Sequence, residues 1–249
     1  MRKILLYFAL KYKGNFNMIY KAIKEKEFVE QKQLDDIESK IKCSYVTLLD
    51  KEYPACLKDI GTPPFVLFYY GDLSLLNCSN KISIIGKREN SNYGKIMCEK
   101  IVSELDKNTC VVSGLALGID AIAHKTALNS NLKTIAVLGC GIDYIYPYKN
   151  IDIYNKIKEK GLLISEYPND INATPQNFLI RNRIIAALSE YILVVEASYK
   201  SGTMNTVAYG LEFGKEICCV PNLANINSGC NKLIKQGAKL VECAKDIYK

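Results

Sequence analysis

From Lys81 onward the chain repeats one unit: a short apolar run, a glycine-bearing turn, then a segment whose apolar positions recur three and four apart. The runs are Ile82–Ile85, Cys110–Val112, Ile135–Leu138, Leu162–Ile164, Ile192–Val195 and Ile217–Val220, with a weaker one at Lys239–Val241. They are continuously apolar and do not alternate, so their strands are expected to be covered on both faces, as in a parallel sheet. The stretches between them predict helices over roughly 92–107, 118–130, 149–160, 178–189, 203–214 and 230–236. The fold class that follows is α/β, an extended Rossmann-like, doubly wound, mostly parallel sheet. In such a sheet ligands bind outside the carboxyl ends of the strands, which narrows the search for function to a few turns.

Ahead of this unit the rhythm is different. Residues 1–58 are rich in Lys, Glu, Ile and Tyr at helical spacing, with Leu5, Phe8, Ala9, Ile19 and Ile23 as the apolar positions. Pro54, Gly61, Pro63 and Pro64 break the pattern, and Phe65–Tyr69 reads as a β-type run ending at Gly71-Asp72. The expected organisation is a small helical domain over residues 1–60 and a Rossmann domain over 61–249.

Composition adds the compartment. Ten cysteines among 249 residues include no C-x-x-C pair and most lie in apolar runs, which reads as buried thiols of a reducing, cytoplasmic setting. Lys11 and Lys13 interrupt the apolar start, so a signal peptide is not expected, and no segment is long enough to span a membrane. Lys and Arg outnumber Asp and Glu by 12 to 9 in residues 1–60 and by 21 to 17 in the rest, a spread positive balance compatible with a nucleic-acid partner.

Three turns at the carboxyl ends of strands combine glycine with donors: Gly86-Lys87-Arg88, Ser113-Gly114-Leu115-Ala116-Leu117-Gly118, and Lys200-Ser201-Gly202-Thr203 after Glu196. Backbone N–H groups in such turns approach anions closely, although each glycine alone is equally explained by a tight turn. None matches a mononucleotide P-loop or a nicotinamide fingerprint. The connection 166–177, with Pro168, Asn172, Pro175 and Asn177, is expected to be an ordered surface loop.

It leads into residues 178–189, where Ile180, Ile184, Ala187 and Leu188 share an apolar face and Phe178, Arg181 and Asn182 fall opposite. An exposed aromatic beside a guanidinium suits single-stranded nucleic acid, with a base on the ring and a phosphate on the arginine. Core packing is the other reading of Phe178. Arg183 borders the stripe and is either a phosphate contact or an ion pair with Glu166 or Glu196. The one histidine, His124, stands four residues after Asp120, a spacing that suits an Asp–His hydrogen bond better than a triad with Ser113. No zinc set can be assembled, and no cofactor is expected.

In order, Gly86-Lys87-Arg88 with Tyr93-Gly94, Ser113-Gly114-Leu115-Ala116 with Asp120 and His124, Gly139-x-Gly141, Ser165-Glu166-Tyr167-Pro168, Asn177-Phe178, Arg181-Asn182-Arg183, Glu196-Ala197, Ser201-Gly202-Thr203 and Gly229-x-Asn231 resemble the DNA-processing family DprA, also called Smf. The resemblance covers residues from about 45 to 245. It implies a dimer without catalysis that binds single-stranded DNA and loads the recombinase RecA during natural transformation. It places phosphate contacts on Arg88, Ser113-Gly114, Arg181, Arg183 and Ser201-Gly202, and base stacking on Phe178. Two departures stand out: Pro221-Asn222 where many members have Pro-Gly, and Lys13-Gly14-Asn15-Phe16 where a Gly-x-Gly hairpin is common. The alternatives are a nucleoside-monophosphate phosphoribohydrolase of the LOG type, whose catalytic Glu has no counterpart near Thr203 before Glu212, and a nucleotide-sensing domain using the same pocket.

Overall fold

Helix α1 (Arg2–Lys11) buries Leu5, Phe8 and Ala9, and α2 (Phe16–Lys24) buries Ile19. These follow the predicted spacing. Ile23 does not, because α2 turns Ile19 and Ala22 inward and leaves Ile23 exposed. The computed structural model describes residues 1–169, 171–224 and 226–248. After α3 (Gln31–Asp35) comes a strand that the sequence pattern does not predict, β1 (Ser44–Thr47), then α4 (Ala55–Lys58) and β2 (Val66–Gly71). Four residues are too few to show a period. The strand is recognisable only by its antiparallel partner, with Tyr45 opposite Phe68.

The remainder alternates as expected: β3 (Lys81–Gly86), α5 (Asn92–Ser103), β4 (Cys110–Ser113), α6 (Ile119–Asn129), β5 (Lys133–Leu138), α7 (Ile151–Lys160), β6 (Leu162–Ser165), α8 (Pro175–Leu188), β7 (Tyr191–Glu196), α9 (Gly202–Glu212), β8 (Glu216–Cys219), α10 (Gly229–Lys235) and β9 (Lys239–Leu240). One nine-stranded sheet has the order β1-β2-β6-β5-β4-β3-β7-β8-β9. Strands β3 to β9 are mutually parallel, and β2 joins β6 antiparallel. The chain winds outward from β3 to β6, then returns to lay β7 on the other side of β3. This reversal is the switch point where a ligand crevice is expected. No helix among the described residues is long and apolar enough to cross a membrane.

Helix α8 makes the return. Thr174 caps it by accepting a hydrogen bond from the Asn177 amide at 3.2 Å, and Pro175 occupies the first turn, where a missing N–H costs nothing. The helix therefore starts three residues before the predicted 178, and the expected loop shortens; its residue 170 lies outside the described residues. Residues 181–188 are all buried, polar ones included, while Leu179 and Ile180 are exposed. The expected two-faced helix fails here because α8 is sandwiched between the sheet and the α4 and α9 helices.

That sandwich decides Arg183. Its Nη2 donates to Glu166 Oε1 at 2.6 Å, its Nε to Thr62 O at 2.9 Å and its Nη1 to Ile180 O at 3.0 Å. The ion-paired alternative is the one observed. Burial raises the Glu166 carboxyl, and Arg183 opposes that shift.

His124 also departs from expectation. Its Nδ1 meets Thr134 Oγ1 at 2.7 Å, not Asp120, and Thr134 spends its own proton on Val111 O at 2.8 Å. Nδ1 must therefore donate in this contact. Burial holds the imidazole down at about 3.

Two predictions follow from these buried groups. Arg183→Met strands a buried carboxylate and is expected to cost about 3–5 kcal/mol in urea unfolding, most of it recovered when Glu166→Leu is added. Equal stability of the single and double variants would count against the pairing. For His124, the unfolded chain binds a proton near the ordinary 6.5 while the folded chain waits until about 3. Its contribution is complete above the unfolded value and is lost as pH falls between the two, by about 1.4 kcal/mol per pH unit. His124→Asn keeps a donor for Thr134 without titrating, so its stability is expected to fall less steeply below the unfolded value than that of the wild type. Parallel pH curves would refute the assignment.

Candidate functional site

At the switch point a cleft of about 710 Å³ opens between the turn after β3, the first half of α8 and the entrance to α9. Gly86, Lys87, Arg88, Phe178, Arg181, Asn182, Ser201, Gly202 and Thr203 all line it. Residues far apart in sequence are thus brought together as expected. Ser113, Gly114, Lys200 and Arg183 are not among its walls.

Phe178 stands at the centre. The Arg88 guanidinium lies 5.3 Å from its ring centroid and that of Arg181 5.8 Å, while the Tyr146 ring is 5.6 Å away at 32°. The ring is half-buried, so neither a core residue nor a free surface one. It can lie this low over the end of β5 because residue 139 is glycine: a Cβ there would stand 2.4 Å from Phe178 Cδ1. Guanidinium over an aromatic face is attractive in itself, so the arginines hold the ring and the ring orders Arg88.

Arg181 differs from expectation. Its guanidinium is buried, with Nη1 donating to the carbonyls of Gly114, at 2.8 Å, and Val137, and with Nε donating to Asn182 Oδ1 at 3.2 Å. Burial lowers its pKa, and the nearby Asp120 carboxylate opposes this. A Cβ at residue 114 would come within 2.5 Å of Nη1, so this glycine serves the arginine.

The second glycine turn is consequently closed to anions. Asp120 Oδ2 accepts from the amides of Gly114 at 3.2 Å and Ala116 at 3.4 Å, and the Ile119 amide donates to Lys87 O at 3.1 Å. Ser113 is buried and donates to Ile84 O at 2.6 Å. The loop carries its own carboxylate, which takes the donors a phosphate would have needed. The φ of +77° at Gly118 and the 2.2 Å from its would-be Cβ to Lys87 O show the same tight closure.

The other two turns differ in what they leave free. Lys87 Nζ lies 3.2 Å from Glu196 Oε1, and Glu196 Oε2 accepts from Ser91 N at 2.9 Å and Ser91 Oγ at 3.0 Å. Asn182 Nδ2 donates to Gly202 O at 3.3 Å, and Thr203 Oγ1 to Gly86 O at 3.2 Å, tying the α9 entrance to the other two walls. Ser201 turns its hydroxyl to Ser198 O and does not cap α9, so the first amides of that helix face the cleft without a side-chain partner. Arg88 is exposed and forms no ion pair among the described residues. Lys200 is exposed beside the entrance. Tyr146, exposed by 43%, and the exposed Glu89 are walls that sequence reasoning missed; for Tyr146 the signal was the alternation Tyr144-x-Tyr146-x-Tyr148 after Gly141.

Residues 44–249 match the family model described as DNA recombination-mediator protein A. DNA processing protein DprA of Bacillus subtilis is 38% identical over 210 residues, which are 82% of this chain and 69% of that one. The X-ray structure of DNA processing protein A from Streptococcus pneumoniae superposes with a TM-score of 0.85 at 31% identity, covering 99% of this chain and 96% of that one. A structure of DNA processing protein A from Helicobacter pylori, described for its single-stranded DNA binding mode, gives 0.75 at 33% identity over 82% of this chain and 94% of that one. With a sheet order, a switch-point cleft and a family match extending over the same residues, the chain belongs to the DNA recombination-mediator protein A family, that of the DprA and Smf proteins.

Proposed function

We propose that the switch-point cleft binds single-stranded DNA, without catalysis, in a cytoplasmic homodimer that hands the strand to RecA. The observation that carries the reading is the half-exposed Phe178 ring, flanked by Arg88 and Tyr146, in a cleft whose α9 amides are uncapped. An unpaired base can lie against the two rings. The adjoining phosphates then meet the Arg88 guanidinium and the N–H groups of Gly202 and Thr203. A duplex keeps its base faces stacked internally and cannot use the rings, which favours the single strand. None of these contacts reads a base edge, so sequence preference is weak.

The roles within the rim differ. Lys87 is held by Glu196 and supplies charge more than a directed hydrogen bond. Arg181 and Asn182 set the floor and the α9 wall, and Arg183 belongs to the fold. The phosphoribohydrolase reading is disfavoured by α9, which has no carboxylate before Glu212; of the two carboxylates that line the cleft, Asp120 is engaged by backbone amides, and the exposed Glu89 stands on the turn after β3, not on the α9 turn where that enzyme carries its catalytic one.

Fluorescence-anisotropy titration with a labelled single strand, a duplex and nucleoside monophosphates is the direct test. The single strand is expected to bind tightest, with affinity falling as salt rises; stronger duplex binding would refute the proposal. Arg88→Ala is expected to weaken binding and to reduce the salt slope by about 0.7, the share of one phosphate on a single strand. Phe178→Ala is expected to weaken it about 5- to 150-fold with the slope unchanged, from about 1–3 kcal/mol of stacking. Incubation with nucleoside monophosphates is expected to release no free base, and release that depends on Glu89, Asp120 or Glu196 would restore the enzyme reading.

A further inference from the structure

A second cleft, of about 560 Å³, opens between α8 and the turn that joins α1 to α2. Helix α8 is the partition between the two clefts: Pro175, Phe178 and Arg181 line the first, and Gln176, Asn177 and Ile180 line the second. At about 100° per residue these sets fall on opposite faces of the helix. The chemistry changes across it. In the second cleft the Arg183 guanidinium is committed to Glu166, Thr62 and Ile180, and Lys13, exposed at the rim, is the other cation among the described lining residues. The side chains of Asn17, Gln176 and Asn177 border the same space and form no hydrogen bond among the described residues. Flat rings stand beside them. Tyr12 is fixed through its hydroxyl, which donates to Glu27, and Phe16 lies against Phe65 at 5.2 Å and 17°.

We propose that the second cleft takes a nucleobase, laid against its rings and read along its edge by the carboxamides of Asn17, Gln176 and Asn177, and that the strand held in the first cleft supplies it. The inference rests on the single-strand reading of the first cleft. It adds what that cleft lacks, contact with a base edge, and so a preference for certain bases at one position of the strand.

The side chains suit that ligand better than a phosphate or a cation. A carboxamide presents an acceptor and a donor side by side in one plane, which matches the edge of a base. The cationic donors that a phosphate would use are bound into the fold, apart from Lys13, and the Glu166 carboxylate that a cation would use is paired with Arg183. The strand is also close at hand. A helix is about 10–12 Å across, a span of about three nucleotides at the duplex rise of about 3.4 Å and of fewer in an extended strand. A base tethered to a strand already seated beside Phe178 arrives at high effective concentration, whereas a free nucleoside bears the whole cost of association.

The test titrates the full chain with labelled single strands graded from about 4 to about 16 nucleotides, each length made with different bases. Affinity is expected to step up once the strand is long enough to cross α8, and the height of the step to depend on the base placed beyond the crossing. Gln176→Ala combined with Asn177→Ala is expected to weaken long strands about 5- to 150-fold, the worth of one bidentate base contact, with the salt slope unchanged and the shortest strand unaffected. Asn17→Ala, exposed on the facing wall, is expected to act in the same direction. Irradiation of a long strand carrying 5-iodouracil at successive positions is expected to cross-link one stretch of it to residues 14–21, the tryptic peptide that contains Phe16. Free adenosine and thymidine are expected not to displace the strand, and a free nucleoside held by these residues in place of the strand would overturn the strand as its source. Affinity that rises smoothly with length, equal for all bases and untouched by the variants, would overturn the second site and leave the first. Failure of every single strand to bind would instead overturn the reading of the first cleft, and this inference with it.

Discussion

The guanidinium of Arg181 is the charge around which the carboxyl end of the sheet is organised. Removing it from water costs several kcal/mol unless every direction is answered, and it is answered by Gly114 and Val137 carbonyls, by Asn182 and by the field of Asp120. Each partner in turn constrains another residue. Gly114 has to be glycine to admit the arginine, and Asp120 has to be drawn in among the loop amides, so the β4 turn closes on itself. Phe178 then lies between this buried charge and the exposed one on Arg88. The aromatic surface of the cleft is thus held from beneath by a buried cation whose hydrogen bonds go to the fold.

It follows that the cleft separates charges engaged within the fold from a charge left exposed. Arg181, Arg183 and, in part, Lys87 are engaged by carbonyls and carboxylates; Arg88 is not. On the proposed reading, a pre-formed site of this kind loses little freedom on binding, since only the exposed arginine and the strand itself remain to be ordered. The positive residues nearest the cleft are therefore poor guides to affinity when simply counted.

Much of this was legible in the sequence. Continuous apolar runs gave the parallel strands, and the glycine turns marked the carboxyl ends where the cleft lies. The burial of Arg181 and Asn182 was not, because helical spacing assigns faces on the assumption of one covered side, and α8 is covered on both. Likewise, a glycine turn reads the same whether its amides await an anion or an internal carboxylate, and Asp120 decides it only in three dimensions. Tyr146 comes from a connection whose one signal is the Tyr144-x-Tyr146-x-Tyr148 alternation, which does not say where the rings lie. The Pro221-Asn222 departure resolves into a local interlock, with Asn222 N and O bonded at 2.8 Å each to the amide side chain of Asn231.

The other departure, Lys13-Gly14-Asn15-Phe16, acquires a packing role. Gly14 has φ +73°, and a Cβ there would stand 2.4 Å from the carbonyl oxygen of Glu166, so the turn between α1 and α2 is seated directly on the residue that pairs with Arg183. Phe16 stacks on Phe65 at 5.2 Å, next to β2. Helix α8 is therefore gripped at positions two residues apart: Arg183 ties it to the residue under the N-terminal turn, and Arg181 ties it to the strand ends under the cleft. Phe178 sits less than one turn from Arg181 on the same helix. A glycine with no evident part in the cleft thus helps fix the height at which the cleft presents its ring.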